Sequence, residues 1–155
     1  MKKILIALGS DAGARKLAWA GYGFAKSLDA KTVLLHITPE PAYYASLKYS
    51  PILGFEVLSA LNVVETENGL EIKERGESFL NAVKEYIGDH SIETIVRTGN
   101  IEQNILQTIA EADIDLVVLG AHRGSGIDRI LSPGLAEKLL HHCSVPLLVI
   151  PLSSN

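Results

Sequence analysis

The sequence predicts an open parallel α/β sheet with helices on both faces. Three observations carry that prediction. Short, almost wholly apolar runs recur along the chain (ILIAL at 4–8, TVLLHI at 32–37, LVVLG at 116–120, LLVI at 147–150), the pattern of strands buried on both faces. Between them lie longer segments whose apolar residues repeat at helical spacing. Strands and helices alternate strictly, with no internal repeat and no break in composition, which predicts one domain over 1–155.

Each element has its own signal. The first strand, Ile4–Leu8, runs into GSDAG, a turn-forming stretch. A helix from Ala14 to Leu28 follows, with Leu17, Gly21, Phe24, Ala25 and Leu28 on its apolar stripe and Trp19 assigned to packing. Thr32–Ile37 is the second strand, bounded by Pro39 and Pro41, and the strand–helix–strand order implies a right-handed crossover. Residues 38–68 have no clean period and predict mostly loop, with a short helix near Phe55–Leu61. Tyr43, Tyr44 and Tyr49 in that segment fit a ligand mouth, a partner surface or plain half-buried packing.

From Glu67 to Ile87 an acidic amphipathic helix is predicted, with Ile72, Gly76, Phe79, Val83 and Ile87 on one face. Ile92–Arg97 is the third strand. Thr98, Gly99 and Asn100 then turn into a helix over Ile101–Ala112, whose buried stripe is Ile101, Ile105, Ile109 and Ala112. Leu116–Gly120 is the fourth strand, Pro133–His142 the last helix and Leu147–Ile150 the fifth strand.

Composition narrows the function classes. A net charge of −4 gives no basic footprint and argues against nucleic acid. Hydrophobic residues make up 47% of the chain, which fits a soluble domain with a substantial core. No apolar run approaches the ~18 residues of a membrane helix, so no membrane insertion is expected. MKKILIALGS has the charge of a signal peptide, but its apolar run is too short and lacks a cleavage site, so it reads as a core strand. The single cysteine, Cys143, excludes an intrachain disulfide and suits a reducing cytoplasm.

In such sheets ligands sit beyond the carboxyl ends of the strands, where strand order reverses. The candidate mouth is therefore Leu8, Gly9 and Asp11 after the first strand, Ile37 and Thr38 after the second, and the 120–134 segment. The connection Ala121–Ser132 exceeds the usual two to six residues or so, a length that often marks a binding loop. It holds His122, Arg123, Gly124, Gly126 and Arg129, and Ser132-Pro133 reads as an N-cap followed by proline at the first helical position. Glycines let backbone N–H groups approach a phosphate, and the helix start adds more donors. Two readings fit these residues: a phosphate cradle, or a glycine-rich surface loop whose arginines pair with Asp128 or Glu137.

Other clusters carry less. Adjacent helical residues such as His141 and His142 point about 100° apart, so with Cys143 they read as structure rather than as a metal site. Gly124-Ser125-Gly126 lacks the frame of a hydrolase nucleophile elbow, and no catalytic residue is assigned.

The segment GAHRGSGIDRILSPGLAEK at 120–138, followed by SVPLLVI at 144–150, resembles the closing motif of the universal stress protein family, G-[ST]-H-G-R-x-G-[LI]-x-R-[LI]-L-L-G-S-V-A-E-K and then C-P-V-L-V-V. ILIALGSDAG, TVLLHI and TGNIEQNILQTIAEADIDLVVLG match upstream, so the resemblance spans nearly the whole chain except 38–68. It implies a Rossmann-like sheet of order 3-2-1-4-5 from the adenine-nucleotide-binding superfamily, and a homodimer through the last strand, Leu147–Ile150. A lone apolar edge strand of that kind invites pairing with a second copy.

The family's ATP-binding members carry G-x2-G-x9-G-[ST]. Those positions fall here on Gly120, Arg123, Pro133 and Gly134, and only the first matches. Gly124 and Gly134 each sit one place late, and Leu135 follows. After the first strand ATP binders carry Asp where this chain has Gly9, with Asp11 two places on. Pro133 removes one backbone donor, and Arg123 sets a large cation where a small residue makes room. The resemblance therefore implies a cytoplasmic stress-response module without assigned enzymatic activity and with nucleotide binding weakened, altered or lost. The alternative is an ATP-binding member, or slow ATPase, that uses the shifted glycines.

Overall fold

The computed structural model describes residues 2–9, 13–38, 69–122 and 133–152. They form β1 (Lys3–Leu8), α1 (Ala14–Ser27), β2 (Lys31–Thr38), α2 (Gly69–Ile87), β3 (Glu93–Thr98), α3 (Ile101–Glu111), β4 (Leu116–His122), α4 (Pro133–His142) and β5 (Leu147–Leu152). The five strands make one parallel sheet of order β3-β2-β1-β4-β5. The order runs leftward from β1 to β3, then jumps back to place β4 on β1's other side. The expected order 3-2-1-4-5 is the observed one.

The two central strands explain the apolar runs. Ile4, Leu5, Ile6, Leu34 and Leu35 are fully buried: β1 and β2 are interior strands of the sheet, and α1 and α2 pack on them. At about 25 cal/mol per Å² of apolar surface, such side chains contribute most of the drive to fold. α1 and α2 cover one face and α3 and α4 the other.

Close approach on the first face requires glycine. A Cβ on Gly21 of α1 would lie 2.7 Å from Ile6 Cδ1 and 3.4 Å from Val118 Cγ1, so the helix rests directly on β1 and β4 together. A Cβ on Gly76 of α2 would lie 2.7 Å from Val96 Cγ1 and 3.4 Å from the His36 ring.

Three sequence expectations change. Leu28 lies past the end of α1 and is 44% exposed, because the helix stops at Ser27 and Leu28 turns the chain toward β2. Trp19 is 55% exposed, with only its edge against Tyr86 of α2, the ring centroids 6.2 Å apart. Ala121 and His122 belong to β4, where the ladder with β5 continues through Ala121↔Pro151 and His122↔Leu152. The short helix expected near Phe55–Leu61, the three tyrosines at 43, 44 and 49, and the start of the acidic helix at Glu67 lie outside the described residues.

Candidate functional site

The candidate mouth forms at the carboxyl end of β1, where two ladders of unequal length meet. β1 pairs with β2 along its whole length, from Lys3↔Lys31 to Leu8↔His36. With β4 it pairs only over Ile4↔Leu116, Leu5↔Val117 and Ile6↔Val118. Past Ile6 no further pair joins the two strands among the described residues, and the stretch between Leu8–Gly9 and Gly120–His122 is the candidate crevice. It lies at the point where strand order reverses.

Most of the predicted site side chains face the core rather than the crevice. Leu8 is 2% exposed, Ile37 4% and Leu135 8%. These residues can meet a ligand through backbone only. Gly9 is buried at the strand exit, and Gly134 is exposed in the first turn of α4.

Gly120 has a packing role. A Cβ there would lie 2.6 Å from Leu152 Cδ1 and 3.0 Å from Leu17 Cδ2, so glycine lets α1 and β5 close on β4. The backbone of His122 ends β4. Asp11, Arg123, Gly124, Gly126, Arg129 and Ser132 lie outside the described residues. Leu8 and Gly9, Ile37, and Gly120 and His122 stand at the carboxyl ends of β1, β2 and β4, and Gly134 and Leu135 in the first turn of α4.

Neighbouring turns fix this rim. Gly99, at φ +117°, takes a backbone shape that side-chain-bearing residues avoid, and its N–H donates to the Thr38 carbonyl at 2.9 Å. Asn100 caps α3 by accepting from the Gln103 N–H at 2.9 Å. On β3, Arg97 stands beside Ile37 in register and pairs with Glu111 of α3. Gln107 first, and then Arg97, hold the Glu111 carboxyl below the usual range.

One polar group beside the mouth carries no motif signature. His36, in the middle of the apolar run TVLLHI, is 7% exposed. Its Nδ1 lies 3.0 Å from the Leu8 carbonyl oxygen; a carbonyl can only accept, so Nδ1 carries the proton. The ring also packs against Phe79 of α2 at 4.8 Å. Burial pushes the imidazole below its ordinary value, and the Leu8 bond opposes this in part. A single polar residue inside an otherwise apolar strand was the available signal for it.

Elsewhere the polar groups do structural work. At the opposite end of the sheet, Tyr22 of α1 donates to Asp89 at 2.7 Å, and the Ser91 hydroxyl and N–H donate to the same carboxylate. The Ser91 hydroxyl first, then the Tyr22 hydroxyl, hold Asp89 down to about 2. His142 Nδ1 sits 3.1 Å from Glu102 Oε1 and 3.2 Å from the Lys138 carbonyl, which ties α4 to α3. Cys143 is half-buried, its Sγ–H pointing to the Val145 carbonyl at 3.3 Å.

A five-stranded parallel sheet of order 3-2-1-4-5, with strand order reversing at β1, defines a Rossmann-like α/β fold. The sequence profile of the Universal stress protein family matches residues 1–151, and the chain belongs to that family. It is 28% identical to Universal stress protein C of Salmonella typhimurium over 153 residues, which are 98% of this chain and 96% of that protein. The fold is similar to that of universal stress protein UspA from Lactobacillus plantarum, with TM-score 0.66, 18% identity, and 96% and 97% of the two chains covered. It is also similar to a universal stress protein from Archaeoglobus fulgidus in complex with dAMP, with TM-score 0.58, 14% identity, and 97% and 98% covered. Among the described residues no helix is long and apolar enough to cross a membrane.

Proposed function

We propose that this chain is a cytoplasmic regulatory binding module that works as a homodimer and holds an adenine nucleotide weakly in the crevice between β1 and β4. The early end of the β1–β4 ladder at Ile6↔Val118 is the observation that supports the reading, because it falls at the point where strand order reverses. The dAMP complex of the Archaeoglobus fulgidus relative makes an adenine nucleotide the ligand class to test. Three residues depart from the family's ATP binders: Gly9 in place of an Asp on the adenine side, and, at the phosphate end, Arg123 in place of Gly and Pro133, which has no N–H to donate.

The dimer reading rests on β5. It is an edge strand paired with β4 alone among the described strands, and its Val149 is 41% exposed. A second copy would cover that edge. A monomeric mass at micromolar concentration rejects the dimer.

The second reading is an ATP-binding protein with slow hydrolysis. Gly134 favours it, since that shifted glycine is exposed in the first turn of α4, where helix N–H groups lack partners within the helix. One substitution separates the two. Arg123→Gly raises ATP affinity if the arginine fills the phosphate subsite, and leaves it unchanged or lowers it if the arginine contacts the nucleotide. Heat-denaturing the purified protein and assaying the supernatant for adenine nucleotide gives an independent check, and a stoichiometric release decides for the second reading.

A further inference from the structure

β1 and β2 are paired through Leu8↔His36, the last step before the crevice. At that step the His36 side chain holds the Leu8 carbonyl from the β2 side. The Leu8–Gly9 peptide is trans, as are the other described peptides, so its C=O and the following N–H point in opposite directions. The Gly9 N–H is therefore aimed toward the β4 side, beyond the last β1–β4 pair, Ile6↔Val118.

We propose that His36 is a positioning residue of the crevice: by holding the Leu8 carbonyl it aims the Gly9 N–H at an acceptor atom of a bound adenine nucleotide, and nucleotide affinity depends on that bond. This rests on the nucleotide reading above.

Packing alone does not account for a histidine at this position. Leu8 of β1, Val96 of β3, and Gly76 and Phe79 of α2 surround the ring, and all are apolar. Arg75 and Glu77, which flank Gly76, are exposed, and Arg97, next to Val96, points to the other face and Glu111. A leucine would fill much of the same volume without desolvating a polar ring. It could not add the side-chain hydrogen bond to the Leu8 carbonyl, which would be left to the β2 backbone alone.

The experiment uses the full chain, ¹⁵N-labelled, as wild type, His36→Asn and His36→Leu. The asparagine amide nitrogen stands close to where Nδ1 does and keeps the donor; leucine removes it. Two readouts are taken: the Gly9 amide resonance across pH 5 to 8, and calorimetric affinity for dAMP and ATP as probes. The expected result is that His36→Asn stays within about threefold of wild type while His36→Leu weakens binding roughly tenfold, the size of one lost hydrogen bond. The Gly9 resonance should move in His36→Leu. In the wild type it should titrate with a midpoint below the ordinary histidine value, and that titration should vanish in both variants.

Equal affinities for wild type and His36→Leu, with an unmoved Gly9 resonance, overturn the proposal. So does equal weakening by both variants, which would mark a packing role. Absence of dAMP and ATP binding by the wild type overturns the nucleotide reading itself and removes the affinity claim with it. Should His36→Leu fail to fold, a Gly9 resonance that does not titrate in the wild type, or a tenfold loss in His36→Asn, still overturns it.

Discussion

β1 has two neighbours and treats them differently. Toward β2 its ladder is unbroken to Leu8, and β2 continues the pattern with β3 from Val33↔Glu93 to Thr98, so these three strands form one plate. Toward β4 the ladder has three steps, after which β4 and β5 form a second plate from Val117↔Leu147 to His122↔Leu152. The seam between the plates is reinforced at the end away from the crevice: Lys3 N–H donates to Asp115 Oδ2 at 2.8 Å, and Asp115 N–H to the Lys3 carbonyl at 2.9 Å. α1 lies across it, with Gly21 over the last pair, Ile6 and Val118. The ladders and the Lys3–Asp115 bonds thus hold the plates and the base of the seam, while among the described residues no ladder pair joins β1 and β4 beyond Ile6↔Val118.

That contrast can be attacked at four points of decreasing effect. Ile6→Ala removes a fully buried side chain from the last pair of the seam and should cost about 2–5 kcal/mol, read from urea unfolding. A loss below about 1 kcal/mol would show that the seam is loosely packed. Gly21→Val forces α1 off both plates and should cost about 1–3 kcal/mol by thermal unfolding, because the nearest atoms belong to fully buried side chains.

Asp115→Ala removes the carboxylate that accepts from the Lys3 N–H at the base of the seam, while the backbone bond to the Lys3 carbonyl stays, and should cost about 0.5–1.5 kcal/mol. Hydrogen exchange at β4 should rise in this variant while β2 keeps its protection. The smallest effect is on pH dependence. The folded His36 imidazole titrates below the ordinary 6.5, so below that pH the unfolded chain takes up a proton that the folded chain refuses, and stability falls until the folded value is passed. Asp89, held at about 2 against an ordinary 3.8, gives a second loss as pH drops through that lower window. His36→Asn should flatten the first slope, and Asp115→Ala should leave it in place, because His36 belongs to the other plate.

The plates were legible in the sequence and the seam was not. Runs such as ILIAL and TVLLHI reveal burial on two faces, and the stripes of α2 and α3 fall where spacing puts them, with Ile72, Val83, Ile105 and Ile109 buried. Leu80 and Thr108 are fully buried too, and a stripe drawn on the most apolar positions passed over them. Leu28 was misplaced because an apolar residue just past a helix end fits the spacing without being inside the helix.

The candidate mouth rests on position at the strand ends rather than on any contact. Gly120 reads as a phosphate glycine, yet only its three-dimensional neighbours, Leu17 and Leu152, explain the missing side chain. His36 has no spacing signature, because its partner is a backbone carbonyl 28 residues away.

The seam also bears on how the molecule assembles. The first plate is built from residues 3–98 and the second from 116–152, so each is contiguous along the chain. The contact that joins them, Lys3 to Asp115, spans 112 residues. Contacts far apart in sequence form slowly, because a long loop must close before they repay it. A nascent chain can complete its first three strands before residue 116 is made, and β1 must then wait with one flank bare until β4 arrives. Docking of β4 against β1 is accordingly the expected slow step of folding, and an unoccupied β1 flank is where a stalled chain would pair with the wrong partner.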